Sequence, residues 1–272
     1  MSSCRMPVWG DVLTGLAIQR ESKPRRSGLT CVLDKHLGIE GTRELISVAG
    51  PYIDVVKLTS LTSAFYDPDV LRSKIRLLRD ADIDVCVGGT CAEVMLWQKV
   101  YPAFLAKAGQ WGFTGIEISD GTIEMPDAMR REAIDRALSG GFRVFSEVGR
   151  KEWSPQTGLE DLVSDLKRDL ACGVDKVIVE AMEIGQSVGI MDAEGNPSEE
   201  GLRALTEAAG GSEKVIFEAP LRHQQEIFID RLGTNVNLGN IPPMEVLVVE
   251  ATRWKMTGIP FMTAYSANPT GA

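Results

Sequence analysis

Histidine is scarce in this chain of 272 residues, where only His36 and His223 occur. Neither stands in a motif that activates a serine or cysteine nucleophile, so His-based acyl transfer has no support. His223, in Leu221-Arg222-His223-Gln224-Gln225, opens a helical stretch and reads as a cap or surface residue; His36, beside Asp34 and Lys35, stays open between structure and function. The five cysteines (Cys4, Cys31, Cys86, Cys91, Cys172) are odd in number and form no C-x-x-C pair. Zinc-ligand spacing is therefore missing, and the thiols read as small buried hydrophobes of a reduced, cytoplasmic protein. No apolar run approaches the ~18–20 residues that cross a bilayer, and Met1 to Asp11 lacks a charged-then-apolar signal layout. Positive charge is in deficit, with 29 Lys and Arg against 38 Asp and Glu for a net charge of −9. Nucleic acid is not expected as a partner, because phosphate neutralisation needs clustered cations. The patch Lys23-Pro24-Arg25-Arg26 is too short to change that.

What is present is an alternation. Short β-branched runs at Leu29–Asp34, Ile53–Leu58, Ile83–Val87, Gly115–Ser119, Arg143–Val148, Lys176–Glu180, Lys214–Glu218 and Asn235–Leu238 predict eight strands. Each is brief and almost continuously apolar, as in parallel strands covered on both faces. Helical patterns fall between them, among them Pro68–Asp80, Pro126–Leu138, Leu159–Ala171 and Pro242–Trp254; Met95-Leu96-Trp97 reads as helix core. Asp67 before Pro68, Gly140-Gly141 and Gly173 supply start and stop signals. Eight such units at roughly 30-residue spacing favour a closed (β/α)8 TIM barrel. An open doubly wound sheet is disfavoured by the missing G-x-G-x-x-G after the first strand. The expected organisation is one barrel over residues 28–256, a lead-in of residues 1–27 beneath it and a tail at 257–272.

The informative feature is the polar residue near the end of most strands. The runs close on Asp34-Lys35, Lys57, Glu117, Glu147, Glu180 and Glu218, and the eighth reads Asn235-Val236-Asn237-Leu238-Gly239-Asn240. Barrel active sites sit at the C-terminal ends of the strands. A carboxylate buried there must meet a lysine, an arginine or a metal. An internal salt-bridge network explains one such residue, but a stability network has no reason to recur at one end of six or seven strands. Glu117, Glu147, Glu180, Glu218 and Asp34 are thus candidate ligands of a hard divalent ion, with Mg²⁺ expected. Lys35, Lys57 and Lys151 are candidate catalytic cations, placed to neutralise a carboxylate or phosphate, and one desolvated lysine would transfer a proton. If the fifth strand continues far enough, alternation puts Glu147 and Lys151 on one side. Candidate anion-binding positions are Gly89 and Thr90, Arg150, Arg222, and Asn237, Gly239 and Asn240. The glycine turns at 88–89 and 239 bring backbone N–H groups close to an anion.

Taken together, Leu33-Asp34-Lys35, Asp54-Val55-Val56-Lys57, Gly88-Gly89-Thr90, Glu117-Ile118-Ser119-Asp120-Gly121, Ser146-Glu147-Val148-Gly149, Phe217-Glu218-Ala219-Pro220 with Gln224-Gln225, and Asn237-Leu238-Gly239-Asn240-Ile241 resemble the phosphosulfolactate synthase (ComA) family. The resemblance runs from about Gly28 to Arg253. It implies a Mg²⁺-dependent lyase of cytoplasmic, homo-oligomeric type that adds sulfite to C3 of phosphoenolpyruvate on the route to coenzyme M. It also implies a proton donor just after the fifth strand, here Lys151.

Two loops depart from the family pattern. Thr59-Ser60-Leu61-Thr62-Ser63 stands where the family has Gly-Trp-Gly-Thr-Ser. After the sixth strand, Met182 replaces an arginine, and Gln186 and Val188 occupy expected cation positions. A different nucleophile or enol on the same scaffold is one alternative that follows. A non-catalytic relative, like the plant heat-stress-associated proteins that resemble this family, is another; retention of the strand-end carboxylates speaks against it.

Overall fold

β-Branched side chains pack well on a pleated surface, and the eight runs rich in them are the eight strands of the fold. The structure is a computed structural model that describes residues 8–10, 12–13, 19–149 and 158–269. The strands are β1 (Thr30–Asp34), β2 (Val55–Leu58), β3 (Asp84–Val87), β4 (Gly115–Ile118), β5 (Arg143–Val148), β6 (Lys176–Val179), β7 (Val215–Glu218) and β8 (Asn237–Ile241). All pair in parallel, each with its neighbour in sequence, and β8 closes on β1, which is the (β/α)8 TIM barrel expected from the sequence.

The helices on the outside are α1 (Ile39–Ala49), α2 (Pro68–Asp80), α3 (Gly89–Trp97), α4 (Tyr101–Trp111), α5 (Asp127–Ser139), α6 (Leu159–Ala171), α7 (Glu199–Ala209), α8 (Arg222–Leu232), α9 (Val246–Arg253) and α10 (Gly258–Ala267). α2 starts where Asp67 predicts, its carboxylate accepting from Asp69 N and Val70 N. None of the described helices is long and apolar enough to cross a membrane.

Three expectations need correction. The eighth strand begins at Asn237 rather than Asn235. Asn235 is committed to the barrel floor, where its amide donates to Gln19 O and its carbonyl accepts from Gly28 N. The stretch after Thr257 is not a loose tail: α10 packs on α8, and Glu226 of α8 accepts from Ile259 N at its first turn. Trp97 is 71 % exposed, because the helical period turns it away from the side on which Ala92 and Met95 pack.

Apolar side chains fill two shells. Val32, Val56, Val85, Ile116, Val144, Val177, Phe217 and Leu238 face outward against the helices. Cys31, Val55, Cys86, Phe145, Ile178 and Ile216 face inward and plug the lower half of the lumen. The plug fixes what lies above it. Two residues further along each strand the side chain points into the lumen again, and at those places stand Lys57, Glu147, Glu180 and Glu218. Below the plug, Arg20 grips Glu250 and Arg25 pairs with Asp54, which ties residues 19–27 to the underside of the barrel.

Candidate active site

The upper lumen opens into a cavity of about 350 Å³. Its floor is the ring of charges. Lys57 Nζ lies 3.0 Å from Glu117 Oε2 and 3.0 Å from Glu218 Oε1, a buried ammonium shared between carboxylates from opposite sides of the barrel. Glu117 turns its other oxygen to Gly89 N, 2.7 Å away at the start of α3. The first-turn amides of a helix carry partial positive charge, so this carboxylate has a hydrogen bond on one oxygen and an ion pair on the other. Gly89 has to be glycine here: a Cβ would stand 2.8 Å from Ser119 Cβ and 3.0 Å from Glu117 Oε1. The amide offered by Gly89 is thus spent on Glu117, and the residue lines the cavity together with Thr90 without presenting that N–H to a ligand.

Glu147, Glu180 and Glu218 form the second half of the ring. Each brings one carboxylate oxygen within 4.8 Å of the others, and all three are buried. Glu218 Oε2 accepts from Ala181 N and Glu180 Oε1 from Met182 N, but Glu180 Oε2 has no hydrogen-bond partner. The electrostatics follow from crowding. Burial would lower the pKa of Lys57, yet Glu117, Glu218 and Glu147 outweigh it and hold the ammonium well above its ordinary range. Burial, reinforced by the charges of Glu117 and Glu218, pushes Glu147 up to about 8. Burial and the charges of Glu147 and Glu218 likewise raise Glu180 well above the ordinary carboxylate range. Four carboxylates around one lysine want further positive charge, as protons or as a cation.

These residues fit a hard divalent ion. Oxygen donors converge from three adjacent strands, one oxygen is left without a donor, and the surroundings disfavour free negative charge.

Other predicted residues are placed elsewhere. Asp34 does not join the ring. Period two puts Leu33 in the lumen and turns Asp34 outward, where it pairs with the fully buried Lys74 of α2 and accepts from His36 N and Leu37 N. Asn237 faces the lumen at its lower end, and its side chain ties the β7–β8 floor by accepting from Leu29 N and donating to Val215 O and Glu213 O. Arg222 lies exposed on the first turn of α8, bound to Glu226 and Thr257. Gly239 adjoins the cavity floor, with Glu218 Cγ 3.5 Å from where its Cβ would be, and Asn240 lines the cavity. Lys35 sits at the rim, half-exposed, in an ion pair with Glu183. Arg150 and Lys151 lie outside the described residues.

Sequence reasoning passed over three buried groups that hold the site in shape. Arg130 of α5 donates to Glu147 O at 2.8 Å, forks onto Asp169 of α6 and pairs with Asp120. Glu93 of α3 accepts from Ser119 Oγ and Thr122 N, fixing the loop after β4. Gln224 of α8 donates to Gly185 O and Gly195 O, pinning the long loop after β6. A signal for the first existed: Arg130 stands on the stripe 130, 133, 134, 137 that α5 buries, and Lys74 stands on the equivalent stripe 71, 74, 75, 78 of α2. A charge on a buried stripe has to have a buried partner.

The model of the (2R)-phospho-3-sulfolactate synthase (ComA) family matches residues 18–258, nearly the whole chain. The chain belongs to the phosphosulfolactate synthase family. It is 36 % identical over 241 residues to the phosphosulfolactate synthase of Methanothermobacter thermautotrophicus, covering 88 % of this chain and 93 % of that one. With the phosphosulfolactate synthase of Methanocaldococcus jannaschii it shares 39 % over 236 residues, covering 86 % and 94 %. Among solved structures, 3-hexulose-6-phosphate synthase superposes with a TM-score of 0.54 at 15 % identity over 83 % of this chain and 99 % of that one, a likeness of fold alone. The two loops that the sequence marks as departing from the family pattern both reach the cavity, the one after β2 through Thr59 and Ser60. Met182 and Ile184 line the cavity, Val188 is buried and Gln186 is exposed.

Proposed function

We propose that this chain is a Mg²⁺-dependent phosphosulfolactate synthase that joins sulfite to phosphoenolpyruvate. The observation that carries the reading is the three-strand carboxylate cluster Glu147, Glu180 and Glu218 beside the buried Lys57, in a family whose named relatives make this product. Glu147, Glu180 and Glu218 would hold the ion, which supplies positive charge for the carboxylate and phosphate of the enol substrate.

The residues of the chain divide the remaining work. Lys57, held charged by its three neighbours, stays an ammonium during turnover and keeps Glu117 and Glu218 fixed around the substrate. The sulfur lone pair of sulfite forms a bond to C3, the C2–C3 π pair moves onto C2 and its carboxylate, and a proton then closes C2. The phosphate stays attached throughout, so the step is an addition. Lys151 is the proposed donor of that proton. The cavity floor is preorganised for the charge that develops, because Glu117, Glu218 and Glu147 are each clamped by a backbone contact or an ion pair before substrate arrives.

The test is sulfite-dependent loss of phosphoenolpyruvate in the presence of Mg²⁺, with the product identified by mass spectrometry. Full-rate turnover by Lys151→Ala removes that lysine from the mechanism, and no consumption with any divalent ion removes the reaction. Met182 and Ile184 on the cavity wall support a second reading, an enol or nucleophile carrying less charge. A panel of nucleophiles separates the two: if sulfite alone reacts, the second reading fails.

A further inference from the structure

A second cavity, of about 280 Å³, lies beside the first and shares Leu33, Glu183 and Asn240 with it as a common wall. Its charges are close to balanced, where those of the first cavity are in negative excess. Lys35 is the one lysine or arginine among its described lining residues, and His36 adds a ring that carries a donor nitrogen. Asp34, also in the lining, is already neutralised by Lys74 and by two turn amides. Asn240 is buried, and its Oδ1 has no hydrogen-bond partner. Rotation of that amide would bring its NH₂ group to a ligand without breaking a bond at the oxygen. Three prolines complete the wall and contribute no N–H donors, so the donors all come from the Lys35, His36 and Asn240 side.

We propose that this second cavity is the subsite for the nucleophile, taken as a small oxyanion, with Lys35 its charge partner and the Lys35–Glu183 ion pair its gate. The inference rests on the reading that the carboxylate cavity takes the ion and the enol phosphate. A free oxyanion is repelled by the four carboxylates of the ring on the floor of the first cavity, whose described cation, Lys57, is committed to two of them. The same oxyanion meets a cation it can pair with one wall away, once Lys35 turns from Glu183 to it. Glu183 borders both cavities, so its release from Lys35 opens the shared wall at the point where the two reactants would meet.

The experiment uses sulfate, an unreactive stand-in of similar shape and charge, titrated by calorimetry into the Mg²⁺-loaded full chain. Lys35→Ala is expected to weaken sulfate binding about tenfold, the loss of one charge-assisted contact. Glu183→Gln is expected to tighten it about threefold, because the competitor for Lys35 is then neutral and an exposed ion pair of this kind is weak. Both side chains are about half exposed, so the fold should survive either change, and an unchanged melting temperature verifies this. In crystals soaked with selenate, the anomalous peak is expected between Lys35 and Asn240. Sulfate affinity that ignores Lys35, or selenate found only against the carboxylates, overturns the subsite. Sulfate that follows Lys35 and Glu183 in a protein that never consumes phosphoenolpyruvate with sulfite refutes the proposed reaction and leaves the subsite standing.

Discussion

Removing and restoring the divalent ion across a pH series tests the ring directly. In the ion-free protein Glu147 titrates near 8, against an ordinary value of 4.5, so the folded state holds its proton more tightly than the unfolded chain does. Below about pH 4.5 both states are protonated and the full stability is present. As pH rises from there toward 8 the unfolded state releases the proton and the folded state does not, so stability falls. The gap between 4.5 and about 8, at about 1.4 kcal/mol per pH unit, is on the order of 5 kcal/mol, shared between Glu147 and the neighbouring Glu180. At about 2 °C per kcal/mol for a domain of this size, the melting temperature of the chelator-treated protein should drop by roughly 10 °C across that window on this account. Mg²⁺ should reverse the drop, and its stabilisation should grow with pH, because the ion replaces protons that are increasingly costly to hold. Differential scanning calorimetry with chelator and with Mg²⁺ measures both curves, and titration in two buffers of different ionisation enthalpy counts the protons released. Mg²⁺ stabilisation that is equal at pH 5 and pH 8, with no proton released at pH 7, would refute the reasoning. So would a Glu147→Gln variant whose ion-free pH profile matches that of the parent.

Three further outcomes are expected. Lys57→Met leaves Glu117 and Glu218 buried without their cation; about 3–5 kcal/mol of stability should be lost at pH 8 and much of it regained at pH 5, as denaturant unfolding at the two pH values would show. Gly89→Ala pushes a methyl into Ser119 and Glu117 and should lower turnover at least about tenfold, with Gly89→Ala/Ser119→Gly recovering most of it; no recovery would mean that the damage lies in the helix start itself. Gln224→Leu removes the donor to Gly185 O and Gly195 O and should cost about 1–3 kcal/mol through two buried carbonyls left unsatisfied. The first protease cuts should then fall within residues 183–196.

The alternation that predicts the barrel also explains which site residues were readable. A lumen-facing residue must be two positions from the next, so Lys57, Glu147, Glu180 and Glu218 follow Val55, Phe145, Ile178 and Ile216 of the apolar plug, and all were visible as polar breaks in apolar runs. Asp34 was visible in the same way but fails the parity, since Cys31 and Leu33 already claim the lumen on β1. Parity was available from the sequence. Lys74, which decides where Asp34 points, was not, because its partner lies 40 positions away and only packing brings α2 against the end of β1. The same holds for Arg130 with Asp169 and for Glu93 with Ser119: each is a pair whose members sit on different βα units. Asn237 misled for a different reason. Its lumen-facing position is right, but it lies one layer below the charges, level with Ile216, where backbone carbonyls of the floor take its amide.

The carboxylate ring is a poor way to stabilise a barrel, and that is the strongest physical argument for its use. An apolar plug fills the lower lumen; continuing it upward with valine or leucine would cost nothing in desolvation. Instead four glutamates meet one lysine, and burial together with the excess charge raises Glu147 and Glu180 far from their ordinary range. Supporting contacts are then added around the strain. Arg130 holds the Glu147 backbone, the amides of Ala181 and Met182 hold Glu218 and Glu180, and the α3 start holds Glu117. Each contact fixes a residue of the ring in place without neutralising its carboxylate. A network selected for stability would bring in further lysines or arginines at these points, as the barrel floor does with Arg20 on Glu250 and Arg25 on Asp54. The top of the barrel is held in place and left negative, an arrangement that the proposed cation would complete.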